Sequence, residues 1–255
     1  MSHFPVLLSI PHGGTEVPEE IRDRAIISSK DLFEDSDAFT QEIYGLGNEV
    51  LAQVQSKVAR VFVDMNRAED DRPPGNPDGA VKTQTCHGKT VYRPGQELDD
   101  VWTRKILDAY FFPYHQSIAN AVAEHTELQL ALDCHSMEKI APAISPDPGQ
   151  SRPLICLGNN HGKSCPQNTA EKLAVCFREA FDLEDKDVVL NRPFAGGYIT
   201  RTYGRGDLPW VQVEMNRSLY LSEPWFDAGS LTIQPERLQY LNQCFRNTLI
   251  RFFQL

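Results

Sequence analysis

The sequence lacks any long hydrophobic run, and this absence limits where the protein can act. No segment of the 255 residues approaches the roughly 18 consecutive apolar residues that a membrane-spanning helix needs. The opening stretch, MSHFPVLLSIPHGG, has only a short apolar core without a basic flank and runs directly into a turn. That pattern is typical of a first β-strand rather than of a secretory signal peptide. We therefore expect a cytoplasmic protein that does not associate with membranes.

The sequence also lacks a net positive charge, CxxC pairs and a phosphate-binding loop. The formal net charge is −10, whereas a nucleic-acid-binding protein needs a basic surface to displace counterions from phosphates. The six cysteines form no CxxC pair, and we expect them to be reduced thiols. No segment has the Gly-x4-Gly-Lys-Ser/Thr spacing of a phosphate-binding loop, which argues against a phosphate-handling enzyme. What remains is an acidic globular protein whose partner is a small molecule.

Short apolar runs alternate with helical patterns along the chain. The sequence predicts strands at residues 6–10, 58–64, 128–133, 154–157, 188–191 and 210–214. It predicts helices at residues 37–54, 98–125, 168–181 and 235–253. This alternation indicates a single α/β domain over residues 1–255, with a mixed central β-sheet flanked by helices on both faces. The aperiodic segments 67–95 and 142–153 are expected to be loops that form walls of the site.

Polar residues follow four of the predicted strands, at the carboxyl ends where α/β sheets bind their ligands. The strand ends read IPHGG, VDMNR, LDCHSM and VQVEMNR, and they bring to one rim His12, Asn66, Arg67, His135, Glu214 and Arg217. A single histidine at a strand end more often belongs to a turn or a polar network. Two histidines on one rim favour a metal site instead, with Asp133 or Glu138 holding the second ring nitrogen of His135.

A catalytic zinc needs three protein ligands and an open position, so two histidines leave one ligand to be found. Glu16 stands at a His-x3-Glu spacing from His12 but lies in a polar segment. Asp37 opens a predicted helix, where an N-cap is the simpler interpretation. The residues alone leave this third ligand open.

Further polar groups complete the candidate site. Asn-Arg occurs twice, at residues 66–67 and 216–217, and arginine binds carboxylates through a planar two-pronged hydrogen bond. Glu214 ends an apolar strand, where burial would raise its pKa toward the range of a general base. Gly196 and Gly197 permit close approach of the backbone to a ligand. Arg201 is placed to hold a carboxylate or an oxyanion.

Five motifs together resemble the N-formylglutamate amidohydrolase family. They are PHGG, DMNR, DCHSM, FAGGY and QVEMNR, beginning at residues 11, 64, 133, 194 and 212. The resemblance spans residues 5–225, and residues 68–97 match nothing in the family and are expected to shape the pocket. The family is similar to zinc carboxypeptidases and aspartoacylases, so the resemblance implies a zinc-carboxypeptidase-like (phosphorylase/hydrolase-like) fold and one Zn²⁺. It also implies hydrolysis of N-formylglutamate or another N-acyl amino acid.

The resemblance implies roles for individual residues. His12 and His135 match the two histidine ligands of zinc, and Asp37 is the best match for the carboxylate ligand, with Asp35 and Glu34 as alternatives. The catalytic groups are Glu214 as the general base and Arg201 at the oxyanion. The residues expected to bind substrate are Asn66, Arg67, Gly196, Gly197, Tyr198 and Arg217.

Two alternatives to this function stay open. One is a zinc carboxypeptidase or deacylase acting on another N-acyl amino acid or a short peptide. The other is a relative that binds carboxylates without catalysis.

Overall fold

A mixed six-stranded sheet forms the centre of the computed structural model, which describes residues 3–143, 145 and 147–254. The strands are β1 (Phe4–Ile10), β2 (Val50–Gln55), β3 (Leu130–Met137), β4 (Ile155–Gly158), β5 (Val188–Leu190) and β6 (Trp210–Asn216). Their order across the sheet is β2-β1-β3-β6-β4-β5. Strands β2, β1, β3 and β6 are parallel, whereas β4 runs antiparallel to β6 and parallel to β5. The short strands β7 (Phe226–Asp227) and β8 (Thr232–Ile233) form a separate antiparallel pair.

Helices cover both faces of the sheet. They are α1 (Ser29–Asp35), α2 (Thr40–Tyr44), α3 (Asp100–Ile106), α4 (Phe112–Glu124), α5 (Gln167–Phe181), α6 (Tyr198–Tyr203) and α7 (Pro235–Phe253), and one π-helical turn (Leu107–Phe111) joins α3 to α4. Side chains of β1 alternate between the faces. Leu8 packs in the cluster that includes Phe177 of α5 and Phe245 of α7, and Leu7 packs in the one that includes Ile118 of α4. The predicted fold class, a single α/β domain with a mixed, helix-flanked sheet, is confirmed.

Two of the predicted elements are wrong. Residues 58–64 form buried turns rather than a strand, with Phe62 N–H donating to the Ala59 carbonyl at 3.0 Å and Asp64 N–H to the Ala80 carbonyl at 2.8 Å. A short apolar run has the same composition in a buried turn and in a buried strand. The predicted helix 37–54 stops at Tyr44, and its second half contains the edge strand β2.

The predicted helices at 98–125, 168–181 and 235–253 match observed ones, and the two aperiodic segments are largely loops. Strands β3 and β6 run longer than predicted, to Met137 and Asn216, so His135 lies within a strand rather than after one and Glu214 lies inside β6 rather than at its end. All six cysteines are unpaired. Among the described residues, none of the helices has the length and hydrophobicity that crossing a bilayer requires.

Candidate active site

Three side chains converge at the carboxyl edge of the parallel strands. His12 follows β1 by two residues, His135 lies on β3, and Asp37 lies between α1 and α2. His12 Nδ1 is 3.3 Å from Asp37 Oδ2, His135 Nδ1 is 3.1 Å from the same oxygen, and the two Nδ1 atoms are 3.2 Å apart. All three residues are buried. They form a group that can hold a metal ion.

The spacing of this group suits zinc. Tetrahedral zinc has bonds of about 2.0–2.1 Å to nitrogen and oxygen, which separates its ligand atoms by about 3.3–3.4 Å. The three observed separations, 3.1–3.3 Å, are close to that value. Two imidazole nitrogens and a carboxylate oxygen that face one another repel through their lone pairs unless a cation or protons lie between them. The donor set therefore fits zinc in both geometry and charge.

Each histidine also contacts a buried carboxylate through its other ring nitrogen, Nε2. The second ring nitrogen of His12, Nε2, donates to Asp64 Oδ1 at 2.7 Å. His135 Nε2 is 3.1 Å from Asp133 Oδ1. A hydrogen-bonded Nε2–H leaves Nδ1 as the nitrogen that would give up its proton to a bound metal. Asp133 was a predicted partner of His135, whereas Asp64 was missed as a partner of His12 because residues far apart in sequence give no signal of such a contact.

Electrostatics at the group favour positive charge. Burial alone would raise the pKa of Asp37, but hydrogen bonds from His12 and His135 outweigh it and hold the pKa well below its usual value. Burial alone would lower the pKa of His135, but the charge and hydrogen bond of Asp133, together with the hydrogen bond to Asp37, raise that pKa well above its usual value. Both shifts come from closely spaced carboxylates around two imidazoles.

The other candidates for a third ligand are engaged or exposed. Asp35 is buried, but its carboxylate is 3.1 Å from Lys82 Nζ and accepts the Cys86 N–H at 2.8 Å. Glu34 is partly exposed and pairs with Lys30 at 3.7 Å, and Glu16 is exposed. Asp37 is the acidic residue whose carboxylate meets both histidines.

Glu214 lies beside the group, on the strand next to His135. The two residues are direct partners in the parallel register of β3 and β6. Burial, opposed by the nearby His135 and reinforced by Asp37, raises the pKa of Glu214 to about 7. Gln212 donates to Glu214 Oε1 at 2.6 Å and accepts the Gly197 N–H. Gln212 thus orients the carboxylate and ties it to the Gly-Gly turn, a role that sequence reasoning missed.

The Arg217 guanidinium is engaged by the protein. It donates to Ser136 Oγ at 3.0 Å, to the Glu34 and Ser36 carbonyls at 3.0 and 2.7 Å, and to Asp37 Oδ1 at 3.2 Å. These contacts hold the Asp37 segment in place, and Arg217 also lines the cavity, where its substrate contact stays a prediction. The mostly buried Arg60, another missed residue, holds Asp64 in place, donating to Oδ2 at 2.8 Å.

Asn66 and Arg67 both line the cavity beside the group. Asn66 arrives on a turn rather than at a strand end, and its amide oxygen Oδ1 accepts the Ile199 N–H at 2.8 Å. Its Nδ2 atom lies 3.1 Å from His135 Nε2, so Asn66 packs directly against the metal-binding group. It packs so closely on Gly197 that a Cβ there would lie 2.3 Å from Asn66 Nδ2, which explains the glycine. Arg67 is partly exposed and pairs with Asp78 at 3.3 Å.

The short helix α6 carries one predicted residue into the cavity and one away from it. Arg201 is exposed, lines the cavity with Gly196 and Gly197, and has no side-chain partner within the described ranges. The predicted substrate contact of Tyr198 stays a prediction: its ring packs against Phe111 and His115, and it is not among the described residues that line the cavity. Residues 198–203 form a short helix that the sequence reading missed.

The cavity has a volume of about 470 Å³, which suits a small molecule. The residues that line it include the His12–Asp37–His135 group, Glu214 and parts of both predicted loops. Loop 67–95 contributes Asp78 and Cys86, and loop 142–153 contributes Ser145 and Arg152.

Comparison with known proteins agrees with this arrangement. The sequence model of the N-formylglutamate amidohydrolase family matches residues 4–221. The chain belongs to the N-formylglutamate amidohydrolase family. The matched range includes all three residues of the metal-binding group and Glu214, and it confirms the resemblance seen in the motifs.

Relatives and solved structures extend the comparison. The N-formylglutamate deformylases of Pseudomonas aeruginosa and Pseudomonas putida are 30% and 28% identical to the chain over 228 residues, which is 86% of the chain and 83% of each relative. The crystal structure of N-formylglutamate amidohydrolase from Ralstonia eutropha JMP134 superposes with a TM-score of 0.79 at 19% identity, covering 100% of this chain and 94% of that one. The structural match supports the fold.

Replacing Asp64 by asparagine is expected to weaken zinc binding about 10–100-fold, because His12 loses the carboxylate that fixes its tautomer and orientation. Competition with a chromogenic chelator measures the affinity, and far-ultraviolet circular dichroism checks folding. Asp108→Asn, an exposed change on the π-helical turn, is the control. Equal zinc affinity in the Asp64 variant and the control would contradict this role.

Proposed function

We propose that the protein is a zinc-dependent N-formylglutamate deformylase. The reaction is hydrolysis of the formyl amide by water, which yields formate and free glutamate. The observation that carries the proposal is the buried His12–Asp37–His135 group with Glu214 beside it, in a chain of the N-formylglutamate amidohydrolase family. The deformylase names of the two Pseudomonas relatives supply the substrate.

His12, Asp37 and His135 would hold the metal, and Glu214 would move the proton. When bound, zinc lowers the pKa of water to about 7 and polarises a carbonyl. Glu214 takes the proton of the attacking water and delivers it to the leaving amine nitrogen. In the metal-free protein burial raises the pKa of this carboxylate to about 7, the direction that a general base working near neutral pH needs. Gln212 keeps the carboxylate aimed into the cavity.

Arginines and glycines would orient the substrate. Arg67 holds the α-carboxylate, with Asn66 shaping the wall behind it through its contacts with His135 and Ile199. Arg201 steadies the oxyanion that develops on the formyl oxygen. Gly196 and Gly197 let the backbone approach the substrate closely. All five residues line the same cavity as the metal-binding group.

A second candidate is an amidohydrolase acting on a different N-acyl amino acid or on a short peptide. The same metal-binding group and general base would serve that reaction, so the choice depends on the cavity walls. A non-catalytic carboxylate-binding relative is less well supported, since binding alone gives no reason for a buried carboxylate beside the metal-binding group.

A substrate panel tests the proposal. The purified protein is given N-formyl-L-glutamate, N-acetyl-L-glutamate, N-succinyl-L-glutamate and N-formyl-L-methionine, and the released acid and amino acid are measured separately. We expect equimolar formate and glutamate from N-formyl-L-glutamate and much slower cleavage of the others. Chelation should abolish the activity and zinc should restore it. Preferred cleavage of another compound would favour the second candidate, and no cleavage with zinc bound would favour the binding protein.

A further inference from the structure

We propose that Arg152 binds the side-chain carboxylate of the substrate and thereby selects glutamate over uncharged amino acids. The inference rests on the proposed function, since it assumes an N-formyl amino acid in the cavity. N-formylglutamate presents two carboxylates and develops a third negative charge on the formyl oxygen. The roles proposed for Arg67 and Arg201 account for two of these charges and leave the side-chain carboxylate without a partner.

Five arginines line the cavity, and two of them hold carboxylates in and next to the metal-binding group. They are Arg60, Arg67, Arg152, Arg201 and Arg217. Arg60 and Arg217 hold the buried carboxylates of Asp64 and Asp37. Three arginines therefore remain for three negative charges, and Arg152 is the one without a role in the reaction as described so far.

Arg152 is fixed in place before any ligand arrives. Its side chain is only 4% exposed, and its Nε and Nη2 lie 3.3 and 3.1 Å from the two carboxylate oxygens of Asp147. Nη2 also donates to Ser145 Oγ at 3.0 Å, and the guanidinium stacks over the Phe194 ring at 4.9 Å. A cation held in this way loses little conformational entropy when it binds a carboxylate.

The arginine retains capacity for a ligand. A guanidinium has five N–H groups, and the contacts to Asp147 and Ser145 use those on Nε and Nη2. The two N–H groups on Nη1 have no partner in the part of the chain that the structure describes. Arg152 lines the cavity, and the proposal pairs the side-chain carboxylate of the substrate with this unused edge.

Its contacts place Arg152 away from the reaction centre. Arg67 directly follows Asn66, which touches the metal-binding group, whereas Arg152 contacts Asp147, Ser145 and Phe194, none of which does. In the substrate, the α-carboxylate is attached to Cα, the carbon next to the reacting amide. The carbon of the side-chain carboxylate is three bonds away from Cα. The proposal therefore places the side-chain carboxylate at Arg152 and the α-carboxylate at Arg67, both of which line the cavity.

The test compares N-formyl-L-glutamate with its isostere N-formyl-L-glutamine in Arg152→Met. A charge-assisted hydrogen bond contributes roughly 1.5–3 kcal/mol, so we expect KM for the glutamate substrate to rise about 10–100-fold with kcat nearly unchanged. KM for the glutamine substrate should change less than about threefold, since no charged hydrogen bond is lost. Arg192→Met, an exposed change near the same loop, is the control. The double variant Arg152→Met with Asp147→Asn removes the acid that the single change leaves unpaired.

The outcomes separate this inference from the proposed function. A wild-type protein that releases no formate from N-formyl-L-glutamate overturns the proposed function itself. An active wild type whose two Arg152 variants keep an unchanged KM for the glutamate substrate overturns only the role of Arg152. Equal losses on both substrates in both variants would also overturn it, because they indicate a purely structural arginine.

Discussion

Glu214→Gln is expected to lose at least about 10²–10⁴-fold in turnover of N-formylglutamate, the usual contribution of a general base. The amide has nearly the size of the carboxylate but cannot accept the proton of the attacking water. Zinc content should stay at that of the wild type, because Glu214 is outside the His12–Asp37–His135 group. Steady-state kinetics and elemental analysis of the same preparation measure both quantities.

Two comparisons sharpen this prediction. Glu171→Gln, an exposed change on α5, should keep full activity.

In the metal-free protein burial favours the protonated form of Glu214 up to about pH 7, and charging a buried carboxylate costs free energy. The metal-free Glu214→Gln protein should therefore be more resistant to urea than the metal-free wild type above pH 7. Near-normal turnover in Glu214→Gln would exclude Glu214 as the general base.

His135→Ala is expected to abolish both zinc binding and activity. The variant removes one of three ligands and leaves Asp133 buried without its imidazole partner, so the remaining pair of ligands no longer completes a zinc site. Zinc content measured after purification without chelator should fall well below one equivalent. Turnover should fall to the background level.

His125→Ala is the matched control for the loss of a histidine. His125 ends α4, pairs with Glu127 at 3.7 Å and is not part of the metal-binding group. It should retain one zinc and full activity. A full equivalent of zinc in His135→Ala would show that His135 is not a ligand.

The two histidines were predictable from sequence because each combines a strand with a motif. Strand β3 (Leu130–Met137) is buried along its whole length, and a histidine in such a strand needs a polar partner. Asp37 was a weaker prediction, since an acidic residue near the start of a helix is usually a cap. Its proposed ligand role is supported by the long-range contacts of Asp35 with Lys82 and of Asp37 with Arg217, which no local pattern encodes.

The errors have physical causes too. Residues 58–64 have the composition of a strand because they are buried, and burial in a turn selects the same apolar residues. The substrate contacts of Arg217 and Tyr198 stay predictions, whereas the contacts that the structure describes for them are within the protein, with Asp37 and with His115. Which partner an arginine meets is decided by tertiary packing, so spacing along the chain cannot predict it.

Anomalous diffraction at the zinc edge, from crystals of the protein grown without chelator, tests the central claim most directly. The account predicts one strong peak within bonding distance of His12 Nδ1, His135 Nδ1 and one oxygen of Asp37, on the cavity side of Glu214. A peak bound through other residues, or none in crystals of protein that hydrolyses N-formylglutamate, would contradict it.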